Sequence, residues 1–307
     1  MQHCTDEWKG LKKYGEHGLA AIIKEFTQLD QGAIPEHNKP VVIPIDPSTL
    51  SYDDKKKALD AVNLISEKCD GTIKGRTCAN GSKQRMYLAQ ADTVASPTVS
   101  VEGLLTTLVI AAYQGRQIIS FDIPGAFLQA ELPDDKLLLL RLNGEFVDIM
   151  CLVNPEHKKN VIVDKFGKKI LYMRVIQALY GCIEAALQWY KMFTTVLMKD
   201  GFKLNPYDKC IPNKTIQGHQ CTIAWHVDDC LASHRDQKVL DTLSQRTITS
   251  FGDMKIHTGN EHDFLGMKIR IRLDKKLEID MINCYKNLRL KVILLLMISM
   301  HSLFYLR

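Results

Sequence analysis

The sequence predicts an α+β fold whose sheet is mostly antiparallel and packs on helices. Segments of helix and strand character alternate without the regular period of a doubly wound sheet, and neighbouring strands meet at tight turns. The clearest of these turns is Asp228-Asp229, which separates the apolar runs 222–227 and 230–232. A chain of 307 residues is long enough to bury a sizeable core around such a sheet.

The spacing of apolar residues predicts the individual elements. Helices are expected over residues 18–29, 51–68, 99–113, 182–199 and 237–249. Strands are expected over residues 118–121, 136–142, 170–175, 222–227, 230–232 and 264–271, and a short cation-rich hairpin over 74–81. Ser100 or Thr98 is available to cap the third helix, and Gly201 ends the fourth.

Composition indicates a globular protein with a small basic excess. The chain is 46% hydrophobic and 24% charged, with a net charge of +5, which is compatible with a nucleic-acid partner but too small to identify one. Its nine cysteines are odd in number, have scattered spacings and form no CxxC, which predicts thiols in a reducing compartment. The polar start predicts no signal peptide, and the apolar run 292–300 is too short to cross a membrane.

The acidic residues point to chemistry. Asp53-Asp54 and the pair at 134–135 have the context of solvated turns or helix caps. Asp228-Asp229 instead lies between apolar strands, where two adjacent anions are costly unless a cation neutralises them; an exposed acidic turn is the alternative. Asp122 also ends an apolar strand. If the two strands lie side by side, the carboxylates supply the hard oxygen ligands of a two-metal phosphoryl-transfer site.

At these residues the sequence resembles the reverse transcriptase of copia-type retrotransposons, a domain of a Pol polyprotein. The resemblance runs from about residue 18 to about residue 271, in blocks that keep the family's order: KGRTCANG at 74–81, SFDIPGAFL at 120–128, LYGCIEAALQWY at 179–190, WHVDD at 225–229, FGDMKI at 251–256 and FLGM at 264–267. It implies the fingers and palm of a right-hand polymerase, with an incomplete thumb. We therefore expect a lead-in at 1–70, fingers and palm at 71–271, and an atypical apolar tail at 272–307.

The resemblance also implies the catalytic and nucleotide-binding residues. Those that would catalyse the reaction and hold two Mg²⁺ ions, or Mn²⁺ in their place, are Asp122, Asp228 and Asp229. The basic residues Lys74 and Arg76 would lie near the incoming deoxynucleoside triphosphate (dNTP). Phe127 would exclude a ribose 2′-hydroxyl, although a core aromatic is an equally natural interpretation of that residue.

Glu184, His226 and Lys268 are expected near template and primer. Lys255 is a further candidate for a backbone contact, and for both lysines a solvated face is the alternative. Three positions of the sequence depart from the family, which usually has tyrosine where His226 stands, glutamine where Glu184 stands and proline where Ala186 stands. A carboxylate at 184 would repel phosphate, which affects the positioning of template rather than the metal site.

These features predict an RNA-directed DNA polymerase that extends a primer on an RNA or DNA template with dNTPs. Other Pol domains, such as integrase and RNase H, are expected partners, and a membrane is not. The expected location is the cytoplasmic retrotransposon particle or the nucleus. Three alternatives stay open: a truncated, inactive remnant that at most binds nucleic acid, another metal-dependent phosphotransferase on a similar palm, and a plain interaction module. The blocks at 74–81 and 179–190 argue against the second, and the strand-end carboxylates argue against the third.

Overall fold

The structure, a computed structural model, describes residues 7–34, 39–68, 71–82, 84, 95–133, 137–272 and 274–281. The predicted acidic turn at 134–135 and most of the apolar tail lie outside the described residues. The chain divides into two compact units: unit 1 is Met1–Ser96 with Gly125–Met192, and unit 2 is Pro97–Pro124 with Phe193–Arg307. The division of the chain into 1–70, 71–271 and 272–307 was based on the sequence blocks and not on compact units. It stays a prediction. Among the described helices, none combines the length and apolar character that a membrane span requires.

Helices and strands alternate along the described residues, which confirms the predicted mixture of α and β structure. The helices are α1 (Glu7–Gln31, interrupted at Gly15), α2 (Tyr52–Lys57), α3 (Val101–Gln114), α4 (Ala126–Gln129), α5 (Glu145–Val153), α6 (Ala185–Lys199) and α7 (Gln237–Phe251). The strands are β1 (Val42–Pro44), β2 (Leu59–Glu67), β3 (Ile73–Ala79), β4 (Gln117–Asp122), β5 (Leu139–Asn143), β6 (Ile162–Val163), β7 (Lys169–Val175), β8 (Asn213–Ile216), β9 (His219–His226), β10 (Asp229–His234), β11 (Ile256–Thr258), β12 (Glu261–Phe264), β13 (Met267–Ile271) and β14 (Leu277–Asp280).

Unit 1 is built on a six-stranded sheet in the order β1-β7-β5-β2-β3, with β6 paired to β7. The β2–β5 pair is parallel, and the other pairs described in this sheet are antiparallel. Helix α1 packs against β2 and β3. Its approach to β3 is close, because a Cβ atom at Gly75 would lie 2.6 Å from the carbonyl oxygen of Ala21.

Unit 2 contains a five-stranded antiparallel sheet in the order β11-β4-β10-β9-β8 and a three-stranded sheet β12-β13-β14. Helix α3 begins at Ser100, whose hydroxyl accepts the N–H of Gly103, so one of the two predicted caps is confirmed. Trp225 of β9 packs edge-on against Phe193, with 5.2 Å between the ring centroids, and Phe193 also contacts Phe251, with 5.6 Å between the centroids. These aromatic contacts pack β9 against helices α6 and α7.

The prediction of a helix over residues 51–68 is wrong beyond Lys57, where the helix ends in the structure. Helix α2 starts at a capping box of Ser51 and Asp54, as the charged segment predicts, but residues 59–67 form β2. The apolar spacing is misleading because an inward position of β2 carries a polar residue. Asn63 is 1% exposed and accepts the hydroxyl proton of Thr77 on β3 at 2.9 Å, so the two-residue period of the strand is hidden.

The single strand predicted over 264–271 is a hairpin instead. Strands β12 and β13 join at Leu265-Gly266, and both residues have positive φ, 52° and 74°. Such a turn usually shows Asn-Gly or Asp-Gly in the sequence, so Leu-Gly within an apolar run is easily missed. Helix α5 likewise has no counterpart among the predicted elements, and the segment that follows it contains a 3-10 helix at Pro155–Asn160 and strand β6.

Candidate active site

Strands β4 and β10 bring the predicted carboxylates together at one end of the unit 2 sheet. Asp122 on β4 pairs with Asp229 on β10, and Asp229 in turn pairs with His226 on β9. Side chains in directly opposed positions have Cβ atoms about 5 Å apart. Asp228 lies in the two-residue turn before β10, and its carbonyl oxygen accepts the N–H of Ile123 at 3.0 Å. We call Asp122, Asp228 and Asp229 with this turn the carboxylate hairpin.

The turn itself is strained. Val227 has φ 59°, a conformation that is rare for a β-branched residue. A positive φ at the first of two turn residues is the type II′ pattern, which favours glycine at that position. Conformations of this kind cost on the order of 1–3 kcal/mol and persist where surrounding structure enforces them. The backbone hydrogen bond from Ile123 to Asp228 is one such constraint.

Burial and the two neighbouring carboxylates both disfavour the charged form of Asp229. Burial, followed by the charges of Asp228 and Asp122, raises the pKa of Asp229 from its ordinary 3.8 to about 6, and His226 opposes this effect. A bound cation would relieve the repulsion. The carboxylate hairpin therefore holds negative charge at a cost in free energy, and binding of a cation would lower that cost.

The donor set of the carboxylate hairpin fits magnesium by its chemistry, since carboxylate oxygens are the ligands that Mg²⁺ prefers. The side chains are close in register but are not gathered around one point. Among the described residues no group of three or more His, Cys, Asp or Glu side chains is arranged to hold a metal ion. The metal-binding role of Asp122, Asp228 and Asp229 therefore stays a prediction.

A cleft of about 460 Å³ opens beside the hairpin, and Asp122, Asp229, Lys255 and His262 are among its lining residues. His262 is 3% exposed, and its Nε2 lies 2.9 Å from the carbonyl oxygen of Gly259, which can only accept. Nε2 therefore carries the proton, and Nδ1 accepts the hydroxyl proton of Ser120 at 2.9 Å. Burial lowers the pKa of His262, in agreement with a neutral ring. This contact ties β12 to β4 two residues before Asp122.

Unit 1 carries a second candidate feature, which we call the aromatic cluster: Arg76, Tyr180 and Phe127. The guanidinium of Arg76 lies 4.5 Å from the ring centroid of Tyr180, and that ring lies 5.3 Å from the ring of Phe127. Cation–π and aromatic contacts of this kind hold the three side chains against one another. The structure thus brings together two of the three predicted nucleotide-binding residues and adds a tyrosine.

Backbone contacts between two segments assemble the aromatic cluster. The N–H of Ala79 at the end of β3 donates to the carbonyl oxygen of Tyr180 at 2.7 Å. Gly181 has φ 87°, and a Cβ atom there would lie 2.1 Å from the carbonyl oxygen of Ala79. Only glycine permits this approach. The block at 74–81 and the block at 179–190 are therefore joined in unit 1.

Lys74, the third predicted nucleotide-binding residue, lies on the exposed face of β3. Lys74 and Arg76 are exposed, while Gly75 and Thr77 between and beyond them are buried. Behind the strand, the carboxylate of Glu25 accepts the N–H of Thr77 at 2.8 Å. Burial raises the pKa of Glu25, and this N–H and the two cations of β3 partly offset that rise.

Comparison with known proteins identifies the family. The sequence profile described as reverse transcriptase (RNA-dependent DNA polymerase) matches residues 55–284, which is most of the chain. The chain belongs to this family. Two relatives from Saccharomyces cerevisiae are the Ty1-DR1 and Ty1-LR2 transposon Gag-Pol polyproteins. They are 25% identical to it over 238 and 237 residues, or 74% and 75% of this chain, and confirm its copia-type character.

The reverse transcriptase chain spans 12% of the length of each of these relatives. Among solved structures it is similar to telomerase from Candida albicans in complex with a TWJ fragment of telomeric RNA, with a TM-score of 0.38, 9% identity and coverage of 77% of this chain and 48% of the other. It is also similar to apo telomerase from Candida tropicalis, with a TM-score of 0.41, 12% identity and coverage of 82% and 52%.

The residues of this chain that were expected at template and primer lie in three different settings. His226 is half-buried opposite Asp229, whereas Glu184 is 8% exposed in unit 1. Lys268 on β13 forms an ion pair with Glu261 at 3.2 Å, so a contact with a phosphate would compete with that carboxylate. Their template or primer contacts stay predictions.

Two side chains at the site were not among the predicted residues. Tyr180 belongs to the block at 179–190, so its position in a family motif was a usable signal. His262 had no such signal, because its partner Ser120 is 142 residues away in the sequence.

Proposed function

We propose that this chain is the polymerase domain of a copia-type reverse transcriptase and extends a primer by nucleotidyl transfer from dNTPs. The observation that carries the proposal is the pairing of Asp122 with Asp229 beside Asp228, at a strained turn. Three carboxylates with a raised pKa among them indicate a site that is completed by cations. Family membership supplies the class of reaction.

In this proposal Asp122, Asp228 and Asp229 would hold two Mg²⁺ ions. When bound, these ions supply Lewis-acid activation of the primer 3′-hydroxyl and neutralise charge on the triphosphate. The chain's own carboxylates fix the place of the reaction, because the backbone pairing of β4 with β10 holds two of them in register. Lys255, which lines the same cleft, provides a cation beside the carboxylates.

The aromatic cluster would select the nucleotide. Lys74 and Arg76 provide positive charge for the triphosphate, and the ring of Phe127, supported by Tyr180, provides the apolar surface that excludes a 2′-hydroxyl. We assign β2 and β3 of unit 1 to the fingers and the five-stranded sheet of unit 2 to the palm. Template–primer and dNTPs are then the ligands, and integrase and RNase H domains of a Pol polyprotein are the partners.

An inactive remnant that at most binds nucleic acid is the second candidate. It is favoured by His226, which replaces the family's usual tyrosine directly opposite Asp229, and by Glu184, which replaces glutamine. Because both substitutions leave the three aspartates in place, a remnant would keep the fold of the carboxylate hairpin and lose only the reaction.

One assay separates the two candidates: extension of an oligo-DNA primer on a homopolymer RNA template, with matching dNTP and Mg²⁺ or Mn²⁺. We expect synthesis by the wild-type chain and a loss on the order of 10²–10³-fold in Asp228→Asn, since a preorganised electrostatic contribution is removed. Asp53→Asn is the matched control. It removes a carboxylate from the exposed Asp-Asp pair in the first turn of α2, where the cap uses Asp54, and should leave synthesis unchanged.

A different result supports the remnant. If the wild type, Asp228→Asn and Asp53→Asn are equally silent with both metals, the polymerase proposal fails. Retention of RNA binding that weakens with rising salt would then identify a nucleic-acid-binding remnant, because binding through phosphates releases counterions.

A further inference from the structure

His262 on β12 contacts the strand that ends at Asp122. Its Nδ1 accepts the hydroxyl proton of Ser120 at 2.9 Å, and its Nε2 donates to the carbonyl oxygen of Gly259 at 2.9 Å. The histidine is 3% exposed and Ser120 is 5% exposed. Both ring nitrogens therefore have a partner away from water, and these two bonds hold the imidazole in one tautomer and one orientation.

The contact falls on the face of β4 that carries Asp122. Side chains two residues apart on a strand point to the same face of a sheet, so Ser120 and Asp122 share a face. Asp229 is paired directly with Asp122, and its side chain projects from that face as well. The imidazole of His262 therefore lies on the side of the sheet from which two residues of the carboxylate hairpin project.

Strand β12 forms part of the wall of the cleft beside the carboxylate hairpin. All four residues of β12 line this cleft, together with Ser120, Asp122 and Asp229 of the five-stranded sheet. The cleft thus lies between a strand of one sheet and the carboxylate face of another. The position of β12 relative to β4 therefore sets the width of the cleft next to Asp122.

Backbone pairing does not fix that position. In the described part of the chain β12 pairs with β13, and the sheet β12-β13-β14 shares no strand with the sheet that carries the carboxylate hairpin. Buried apolar residues such as Phe264 add an attraction that is not directional. A hydrogen bond depends on distance and angle, so the contact of His262 with Ser120 can hold β12 at a set distance from β4.

We propose that His262 is a positioning residue for nucleotidyl transfer: through Ser120 it fixes β12, and with it the width of the cleft in which the primer end meets the carboxylates. This inference rests on the proposed function. A displacement of about 1 Å can slow an enzyme reaction by about 10²-fold, so a smaller shift of β12 should lower kcat by roughly tenfold. The KM for dNTP should not change, because the residues proposed to bind the nucleotide belong to unit 1.

The test is primer extension by variants that separate the two hydrogen bonds of His262. In His262→Gln the amide nitrogen can replace Nε2, so the bond to Gly259 is kept and the bond to Ser120 is lost. In His262→Asn the amide oxygen can replace Nδ1, so the bond to Ser120 is kept. We expect kcat to fall roughly tenfold in His262→Gln and to return most of the way to the wild-type value in His262→Asn, with an unchanged KM for dNTP in both.

The partner residue and a second buried histidine complete the set. Ser120→Ala should lower kcat as much as His262→Gln, and the double variant should be no slower than either, since all three lack the same contact. His234→Gln is the matched control. His234 is 0% exposed and also bonds to backbone groups, but it lies at the opposite end of β10 from Asp229. This control should lower the unfolding midpoint and leave kcat unchanged.

Hydrogen exchange in metal-free protein tests the anchoring of β12 without the reaction. The backbone amides of β12 should exchange faster in His262→Gln than in the wild type, and not in His262→Asn. If His262→Gln does not fold, Ser120→Ala carries the same expectations.

The positioning role is overturned if the exchange of β12 is unchanged in His262→Gln, or if kcat falls no further than in His234→Gln, because His262 is then an ordinary buried histidine. An active wild type with unaffected His262 variants overturns this role alone. A silent wild type overturns the proposed function, and the positioning role with it.

Discussion

The aromatic cluster of unit 1 and the carboxylate hairpin of unit 2 hold their functional groups in different ways. In the cluster, the charge of Arg76 lies 4.5 Å from the centroid of the Tyr180 ring, and the ring of Phe127 supports that tyrosine. In the hairpin, Asp122 is opposed to Asp229 and the turn between the strands is strained at Val227. The first feature is an arrangement of mutually attractive groups, and the second is an arrangement of repelling ones.

The difference indicates which feature depends on its ligand. Groups that attract one another keep their geometry in the absence of nucleotide, so we expect the cluster to be a preformed surface that affects selection of the nucleotide. Groups that repel one another gain most from a bound cation, so the hairpin should respond to metal, to pH and to removal of charge. Substitutions in the cluster should change which nucleotide is used, and substitutions in the hairpin should change stability and the reaction itself.

After the loss of synthesis expected in Asp228→Asn, the largest effect is expected from Phe127→Ala. Removing the ring opens the space that a ribose 2′-hydroxyl would occupy, so the preference for dNTP over the ribonucleotide should fall by roughly 10–200-fold, the range for shape selection in an apolar pocket. The measurement is kcat/KM for single incorporation of each nucleotide. Synthesis with dNTP should be retained, because the carboxylate hairpin is untouched.

Phe166→Ala is the matched control for that experiment. Phe166 is a phenylalanine of the same unit but is 82% exposed, and its loss should leave the preference unchanged. If Phe127→Ala keeps full discrimination, Phe127 is a core aromatic and the aromatic cluster has no part in selection.

Local sequence signals were sufficient for much of the hairpin. Apolar runs beside aspartates predicted strands β4, β9 and β10, and β4 lies beside β10 as expected. Their register places Asp122 opposite Asp229. The signal was strong because consecutive residues of each strand are buried, so that each strand appears in the sequence as a continuous apolar run. The strain at Val227 could not be predicted, because valine is the residue that propensity would exclude from such a turn.

Other features depend on contacts between distant segments, which local patterns do not encode. The strand β2 was predicted as a helix because Asn63 is polar and therefore expected to be exposed. Its burial is explained only by the hydrogen bond from Thr77 on the neighbouring strand β3. Tyr180 joins Arg76 only through the backbone pairing of Ala79 with Tyr180. Arg116, which follows helix α3, is similar, because it has the appearance of an ordinary surface residue until its burial is known.

The next effect in size concerns Asp229→Asn in metal-free protein. The pKa of Asp229 is raised to about 6 from its ordinary 3.8, so the folded state favours the protonated acid. The stability that this preference gives is present below about pH 4 and is lost as the pH rises through 6. Removing the charge should therefore stabilise the chain by about 2 kcal/mol at pH 7.5 and by almost nothing at pH 4.

The measurement is thermal or urea unfolding in EDTA at several pH values, with Asp53→Asn as the exposed control. Added Mg²⁺ should stabilise the wild type and should stabilise Asp229→Asn less, since one ligand is gone. A stability difference that is the same at pH 4 and pH 7.5 would show that charge repulsion at the hairpin is not the cause.

The smallest effect is expected from Val227→Gly, which tests whether the hairpin also stores backbone strain. Relief of a positive φ at a β-branched residue is worth on the order of 1–3 kcal/mol. Because glycine loses more chain entropy on folding, the substitution also destabilises the folded state by about 0.5–1 kcal/mol. A net stabilisation of about 1 kcal/mol should remain in unfolding experiments at pH 7.5. Gln217→Gly is the control, because Gln217 has φ 51° but no branch at Cβ, so less strain is relieved there. If Val227→Gly is no more stabilising than Gln217→Gly, the hairpin differs from the aromatic cluster in charge alone and not in backbone strain.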